Sequence, residues 1–246
     1  MRMLLQPRLL NGFFGDPALY ISEMNSKEAI LIDCGDLSRL SNRETLKISH
    51  IFISHCHIDH FFGFDLLLRT VVGSDKTIIL YGPPETSKRV GGKLQGYTWN
   101  LLYGHQLEFI VVDLYPEERK KITTSFHAKD AFHASSCIEE SWDPLTPVYS
   151  AETFTVHTAV LDHRTPSLAY CVEEKLTVQV DTTALEKNNF MPGPWINTLK
   201  DLYLFGGLEN KTLEVPLLCS FSDLSNKTFP VASQSVLKKQ VKAADL

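Results

Sequence analysis

The sequence predicts an α/β domain, and three observations predict it. Short apolar runs rich in β-branched residues each stop at a turn signal, a helix-like stretch follows one of them, and a more strand-rich half comes after. At 246 residues, with 43% hydrophobic and 22% charged side chains, the chain has the make-up of an ordinary globular protein. That length is enough to bury a core of useful size.

The elements follow in order. Ala29–Ile32 runs into Asp33-Cys34-Gly35, and Ile51–Ile53 runs into a histidine cluster. Thr77–Tyr81 stops at Gly82-Pro83-Pro84, and Phe109–Val112 follows. Such runs read as strands covered on both faces, with buried helix turns as the alternative that periodicity leaves open. Phe62–Val72, which holds Leu66-Leu67-Leu68, reads as a helix just after the histidines, and Ser41–Lys47 as a short helical piece. Phe154–Val160 alternates as a half-buried strand does, and Ser167–Val172 and Leu176–Val180 follow with Glu173-Glu174-Lys175 as a hairpin tip. Met191–Trp195 is extended or turn-like because proline fixes its own φ and restricts the residue before it. The tail from about Val231 reads as a terminal helix with Lys238, Lys239 and Lys242 on a solvated face. No repeat, low-complexity tract or linker divides the chain, so a single domain over residues 1–246 is expected.

Bulk properties exclude several classes of function. A net charge of −5 argues against coating nucleic acid by bulk electrostatics, and leaves a local basic patch open. Cys34, Cys56, Cys137, Cys171 and Cys219 are dispersed and contain no C-x-x-C pair, which fits a reducing cytoplasm better than a disulfide framework. Met1–Pro7 lacks the features of a signal peptide, and no apolar run approaches the roughly 18 residues of a membrane span, so no membrane partner is expected.

The chemistry concentrates in His55-Cys56-His57-Ile58-Asp59-His60. In extended backbone His55 and His57 point the same way, and the next turn lets Asp59 and His60 face a second centre. Neutral imidazoles and a carboxylate suit zinc, and also iron or manganese. Cys56 alternates away from its neighbours and is expected to face the core. His50, His105, His127, His133 and His157 stand in no spacing that demands a metal.

This cluster resembles the H-x-H-x-D-H signature of the metallo-β-lactamase superfamily. The resemblance implies a metallo-β-lactamase-like αββα sandwich: two sheets face to face, helices outside and metals along one edge. Leu31–Gly35, Asp59–Asp65 and Tyr81–Pro84 are similar to the tRNase Z (ribonuclease Z) branch. So is Leu161-Asp162-His163-Arg164-Thr165-Pro166, the segment that carries the third histidine ligand there. Pro192-Gly193-Pro194-Trp195 is similar to the glycine-proline stretch of the arm that grips tRNA, which places an arm-like insertion around residues 186–225. By this resemblance His55, His57 and His163 hold one zinc, and Asp59 and His60 contribute to a second. Asp59 is also the expected general base, and Pro192, Gly193, Pro194 and Trp195 the expected substrate-binding residues. Trp195 either stacks on a base or anchors the arm.

Two ligands of the family pattern are not found: a bridging aspartate beyond the arm and a later histidine. After Lys200 come Asp201 and Asp223 but no histidine, and Asp181 precedes the arm. The domain is therefore expected to lack its last strands and helices, with the second metal site incomplete. The expected function is endonucleolytic 3′-end processing of precursor tRNA by a zinc-dependent, cytoplasmic phosphodiesterase, with a homodimer as the resemblance's default. The alternatives are a hydrolase of another phosphodiester and a non-catalytic homologue.

Overall fold

A computed structural model describes residues 4–24, 26–102, 104–175, 180–205, 212–216 and 238–242. The chain divides into two compact units, Met1–Lys175 and Leu176–Leu246.

The first unit is built on an eight-stranded sheet in sequential order. Its strands are β1 (Leu5–Leu9), β2 (Leu19–Glu23), β3 (Ala29–Ile32), β4 (Ile48–Phe52), β5 (Thr77–Gly82), β6 (Glu108–Tyr115), β7 (Lys120–His127) and β8 (Ala134–Ser141). The central strands β3 to β6 run parallel, and the flanking pairs are antiparallel. Parallel strands need crossovers, and helices supply them: α1 (Asn42–Thr45), α2 (Ile58–Phe61), α3 (Phe64–Val71) and α4 (Thr86–Leu94). A second sheet, of order β11-β10-β9, is formed by β9 (Tyr149–Ser150), β10 (Phe154–Asp162) and β11 (Pro166–Glu174).

Strand alternation sorts the apolar residues into two cores. Leu31, Ile51, Ile53, Leu80 and Val111 join Phe64, Leu67, Val71, Val90 and Leu94 of the helices in one cluster. Ile30, Phe52, Tyr81, Val112 and Leu114, from the opposite face, meet Phe154, Val156 and Leu168 of the second sheet in another. Helices, large sheet and small sheet thus form three successive layers, and the central runs are covered on both faces as the sequence predicts.

Several local expectations are corrected. The helix expected over Phe62–Val72 is present as α3, but a separate short helix that was not expected, α2, precedes it across a break at Gly63, whose N–H donates to the Cys34 carbonyl at 2.8 Å. Glu173 and Glu174 form no hairpin tip: β11 continues through both, with Glu174 paired to Phe154. The hairpin turns instead at His163–Thr165, between the paired Asp162 and Pro166. The strand expected at Leu176–Val180 falls largely outside the described residues.

β7 and β8 are strands that apolar runs do not announce. Their exposed faces carry cross-strand pairs such as Lys121 Nζ to Glu140 Oε2 at 3.3 Å, and charge of this kind protects a sheet edge from further pairing.

The second unit contains α5 (Thr182–Lys187), α6 (Trp195–Phe205), β12 (Thr212–Pro216) and β13 (Lys238–Lys242). Phe190, Trp195, Leu213 and Val215 form its small core. Lys238–Lys242 is a strand paired antiparallel to β12, so the helix expected there is a correction; β-branched Val241 and pairing with Leu213–Val215 outweigh the lysine pattern. Asp181 is the N-cap of α5, accepting from the amides of Thr183 and Ala184, which gives it a structural task. Asp201 is exposed on α6, and Asp223 lies outside the described residues.

Candidate metal centre

The site forms where β4 runs out of pairing partners. Beyond Phe52 the chain bends at Ser54 and runs on to His57 outside any strand. His55 and His57 turn one way, while Cys56 turns to the helix-side core with its Sγ 3.9 Å from Thr86 Oγ1. His55 Nε2 and His57 Nδ1 stand 3.0 Å apart. His163 arrives from the turn between β10 and β11, its ring centroid 4.7 Å from that of His55 and 5.4 Å from that of His57. The three ligand atoms lie within 4.8 Å of one another, and among the described residues this is the one such group.

Two contacts fasten the hairpin over the histidine strand. The Leu168 amide donates to the Ser54 carbonyl at 2.9 Å, and the Tyr170 hydroxyl donates to the Ile53 carbonyl at 2.9 Å. His163 therefore reaches the site because its own strand is hydrogen-bonded to the segment that carries His55.

The donor set fits a metal cation. Burial, with help from the imidazoles of His60, His57 and His163, pushes the His55 pKa down to about 4; Asp59 opposes this. His55 is therefore neutral at physiological pH, the form that ligates. Its Nδ1 lies 3.0 Å from Ser54 Oγ, leaving Nε2 to face the other two rings. Two ring nitrogens 3.0 Å apart, backed by a third, are close to the spacing a tetrahedral cation with ~2.0–2.1 Å bonds imposes.

Asp59 and His60 occupy α2, next to this group. The Asp59 side chain is half exposed, with Oδ2 3.5 Å from His60 Nε2. His60 is held from behind by Asp33, whose Oδ2 is 2.8 Å from His60 Nδ1. Asp33 also accepts from the Ser54 amide at 2.7 Å and the Ser54 hydroxyl at 2.9 Å. Burial raises its carboxyl pKa, and the bonds from Ser54 and His60 pull back down. A carboxylate 2.8 Å from Nδ1 favours the tautomer with its proton there, which would free Nε2 as a ligand atom. Sequence reasoning assigned no role to Asp33. The available signal was its place at the end of a buried strand beside β4, followed two residues later by glycine.

That glycine has a steric reason. A Cβ on Gly35 would sit 2.5 Å from the Asp59 carbonyl oxygen, and one on Gly63 would sit 1.9 Å from the Gly35 carbonyl oxygen. The Cys34 amide donates to the His60 carbonyl at 2.8 Å across the same gap. Bare backbone on both sides lets the turn after β3 clamp the helix bearing Asp59 and His60.

Two clefts adjoin the group. One of about 690 Å³ is lined by Pro84, Tyr115, Glu117, Glu118, His163 and Arg164 among others. A smaller one of about 210 Å³ contains His57, Arg89 and Thr165.

The sequence profile of the metallo-beta-lactamase superfamily matches residues 17–74, the segment that carries Asp33, His55, His57, Asp59 and His60. This chain is a metallo-β-lactamase superfamily protein. Its ribonuclease Z relatives are distant. It is 30% identical over 191 residues to a ribonuclease Z of Deinococcus radiodurans, covering 75% of this chain and 56% of that one. It is 26% identical over 181 residues to a ribonuclease Z of Methanococcus maripaludis, covering 71% of this chain and 49% of that one. The chain thus spans about half the length of the curated relatives it matches. The crystal structure of human tRNase Z, short form, is similar at 22% identity with a TM-score of 0.42, over 70% of this chain and 64% of that chain. The superfamily is metal-dependent, and the His55, His57 and His163 cluster is able to bind a metal.

The remaining predicted residues lie in the second unit. Pro192 and Pro194 are exposed, while the Trp195 ring is buried and donates from Nε1 to the Met191 carbonyl at 2.9 Å. His157 sits within β10, and His50 packs on Tyr149 with ring centroids 4.0 Å apart. No helix among the described residues is long and apolar enough to cross a membrane.

Proposed function

We propose that this chain is a metal-dependent phosphodiester hydrolase of the ribonuclease Z type, whose reaction is endonucleolytic processing of precursor tRNA at the 3′ end. The observation that carries this reading is the meeting of three imidazoles from two distant segments, with Asp59 and His60 on the adjoining helix. In this reading His55, His57 and His163 hold a zinc-type ion, with manganese or iron as substitutes. Asp59 and His60 contribute to a second. Ions held there lower the pKa of water and offset charge on a phosphodiester. Asp59, half exposed in the first turn of α2, orients the attacking water and takes its proton. Asp33 keeps His60 in the ligating tautomer.

The ribonuclease Z relatives support an RNA substrate. Pro192, Gly193 and Pro194 are the surface of the arm that meets the RNA, and the buried Trp195 fixes their turn. A reducing cytoplasm and a homodimer complete the proposal. The dispersed cysteines, which contain no C-x-x-C pair, support that compartment.

Incubating the purified chain with zinc or manganese and a precursor tRNA tests the reading. The expected result is release of the 3′ trailer as one fragment. No cleavage, where a full-length relative cleaves under the same conditions, refutes it. A non-catalytic homologue is the second reading, because among the described residues Asp59 and His60 belong to no group of three or more converging ligand atoms. Tight metal and RNA binding without turnover favours that reading. Turnover of a chromogenic phosphodiester without tRNA cleavage points to another substrate.

A further inference from the structure

The loop between β1 and β2 presents two aromatic rings to solvent at the edge of the sheet that carries the metal centre. Phe13 is 94% exposed and Phe14 104%, whereas Tyr203, the next most exposed among the described large aromatics, is 64% exposed. Single exposed apolar residues are ordinary, but two adjacent rings bared beside a candidate active site mark a binding surface.

Topology places this loop on the site's edge. β1 is antiparallel to β2 and β2 to β3, so β1 and β3 run in one direction. The chain therefore leaves β1 at the edge where it leaves β3 at Asp33 and β4 at His55. Hydrogen bonds make the link physical. Asn11 Nδ2 donates to the carbonyls of Asp16 and Asp36, each at 2.8 Å, and the Gly35 amide donates to the Pro17 carbonyl at 3.0 Å. Gly35 is the residue against which the Asp59 backbone packs. The base of the Phe13–Phe14 loop is thus two contacts from Asp59. Ile58, next to Asp59 and 79% exposed, extends the apolar character along the same edge.

We propose that Phe13 and Phe14 form a stacking platform for unpaired nucleobases flanking the phosphodiester held at the metal centre. The proposal rests on the hydrolase reading for its substrate class. Every base has a π-face, so two bared rings take bases without regard to sequence. Position argues for this occupant: the loop is tied through Asn11 and Gly35 to the edge that carries Asp59, and stacking is an uncharged attraction that does not need the basic surface a chain of net −5 lacks.

The test is fluorescence anisotropy of the full-length chain with a fluorescein-labelled single-stranded RNA hexamer and with an abasic hexamer of the same backbone. It is run with zinc and again with a chelator. The variants are F13A/F14A and F13W/F14W; both positions are exposed, and thermal unfolding checks that each variant folds. The wild type is expected to bind the hexamer about tenfold or more tighter than F13A/F14A does, with F13W/F14W retaining that affinity. The abasic hexamer is expected to bind the wild type as weakly as the normal one binds F13A/F14A. A salt slope smaller than that of a multi-phosphate binder is also expected. Equal affinity of wild type and F13A/F14A overturns the proposal. So does wild-type binding to phosphatidylcholine vesicles, or a dimer in sedimentation, that F13A/F14A abolishes while RNA affinity stays unchanged. Precursor-tRNA cleavage with the same KM in F13A/F14A overturns the platform and leaves the hydrolase reading standing. Phe-dependent RNA binding without cleavage supports the platform and overturns that reading.

Discussion

The three-histidine group and the Asp59–His60 pair share one sheet edge but are built in opposite ways. The first draws its ligands from two segments, the end of β4 and the β10–β11 turn, held together by the Leu168 and Tyr170 bonds to that strand end. Its donor atoms already converge. The second takes both residues from one short helix, and its precision comes from behind, through Asp33 and the glycine clamp. The difference teaches that convergence and orientation are separate tasks. The first group offers three imidazoles, as many protein groups as a catalytic-type zinc ion takes; the pair offers two side chains, one of them oriented by Asp33.

The largest effect tests that division. His163→Ala leaves two imidazoles, and its loss of metal affinity should exceed the ~10–100-fold typical of losing an outer partner. Competition with a calibrated chelator measures it. An unchanged affinity would mean that the hairpin contributes no ligand.

The clamp comes next. Gly63→Ala drives a Cβ to 1.9 Å from the Gly35 carbonyl oxygen, where only backbone movement gives relief. The expected loss is about 3 kcal/mol in urea unfolding. Gly73→Ala, with nothing within 4 Å of the added carbon, should be nearly neutral and serves as the control.

Acid stability draws on the sheet as well as on the centre, where His55 is also held near 4. Burial pushes the His50 pKa to about 4 from 6.5, although this residue belongs to neither centre. The folded value is the lower one, so His50 contributes its full stability above pH 6.5. That contribution falls as the unfolded chain gains a proton that the folded chain refuses, approaching a loss of roughly 3 kcal/mol near pH 4. His50→Gln should flatten this part of the pH–stability curve; an unaltered curve would place the acid sensitivity elsewhere.

Asp33→Asn keeps the shape and removes the charge behind His60. Binding of a second ion should weaken by about 10–100-fold while the three-histidine affinity changes less. Equal losses at both would merge the two centres into one unit. Tyr170→Phe is the smallest change, with an expected cost of about 1 kcal/mol for the lost bond to Ile53 and a few-fold weaker first ion.

Much of this was legible in the sequence because it is carried by local pattern. The central strands announce themselves as continuous apolar runs, since both faces are covered. The H-x-H-x-D-H spacing places His55 and His57 on one side by alternation alone. The register that brings His163 to them is different: it depends on pairing between β10 and β11, and on the bond from Leu168 to Ser54. Resemblance supplied that residue, and geometry gives the reason for it. Asp33 was hidden because its partners, Ser54 and His60, are distant in sequence and meet it only through the parallel β3–β4 pairing. β7 and β8 were missed because their charged alternation pairs across strands without an apolar run to show it. Lys238–Lys242 deceived for a related reason: lysines on a strand leave the same composition as lysines on a helix.

Titration of the metal-free chain with zinc, read by calorimetry and by bound metal per chain, tests the central claim most directly. One tight ion is expected, abolished by His163→Ala, with a second bound at least about 100-fold more weakly. Two ions of equal affinity, or a tight ion that survives His163→Ala, would contradict it.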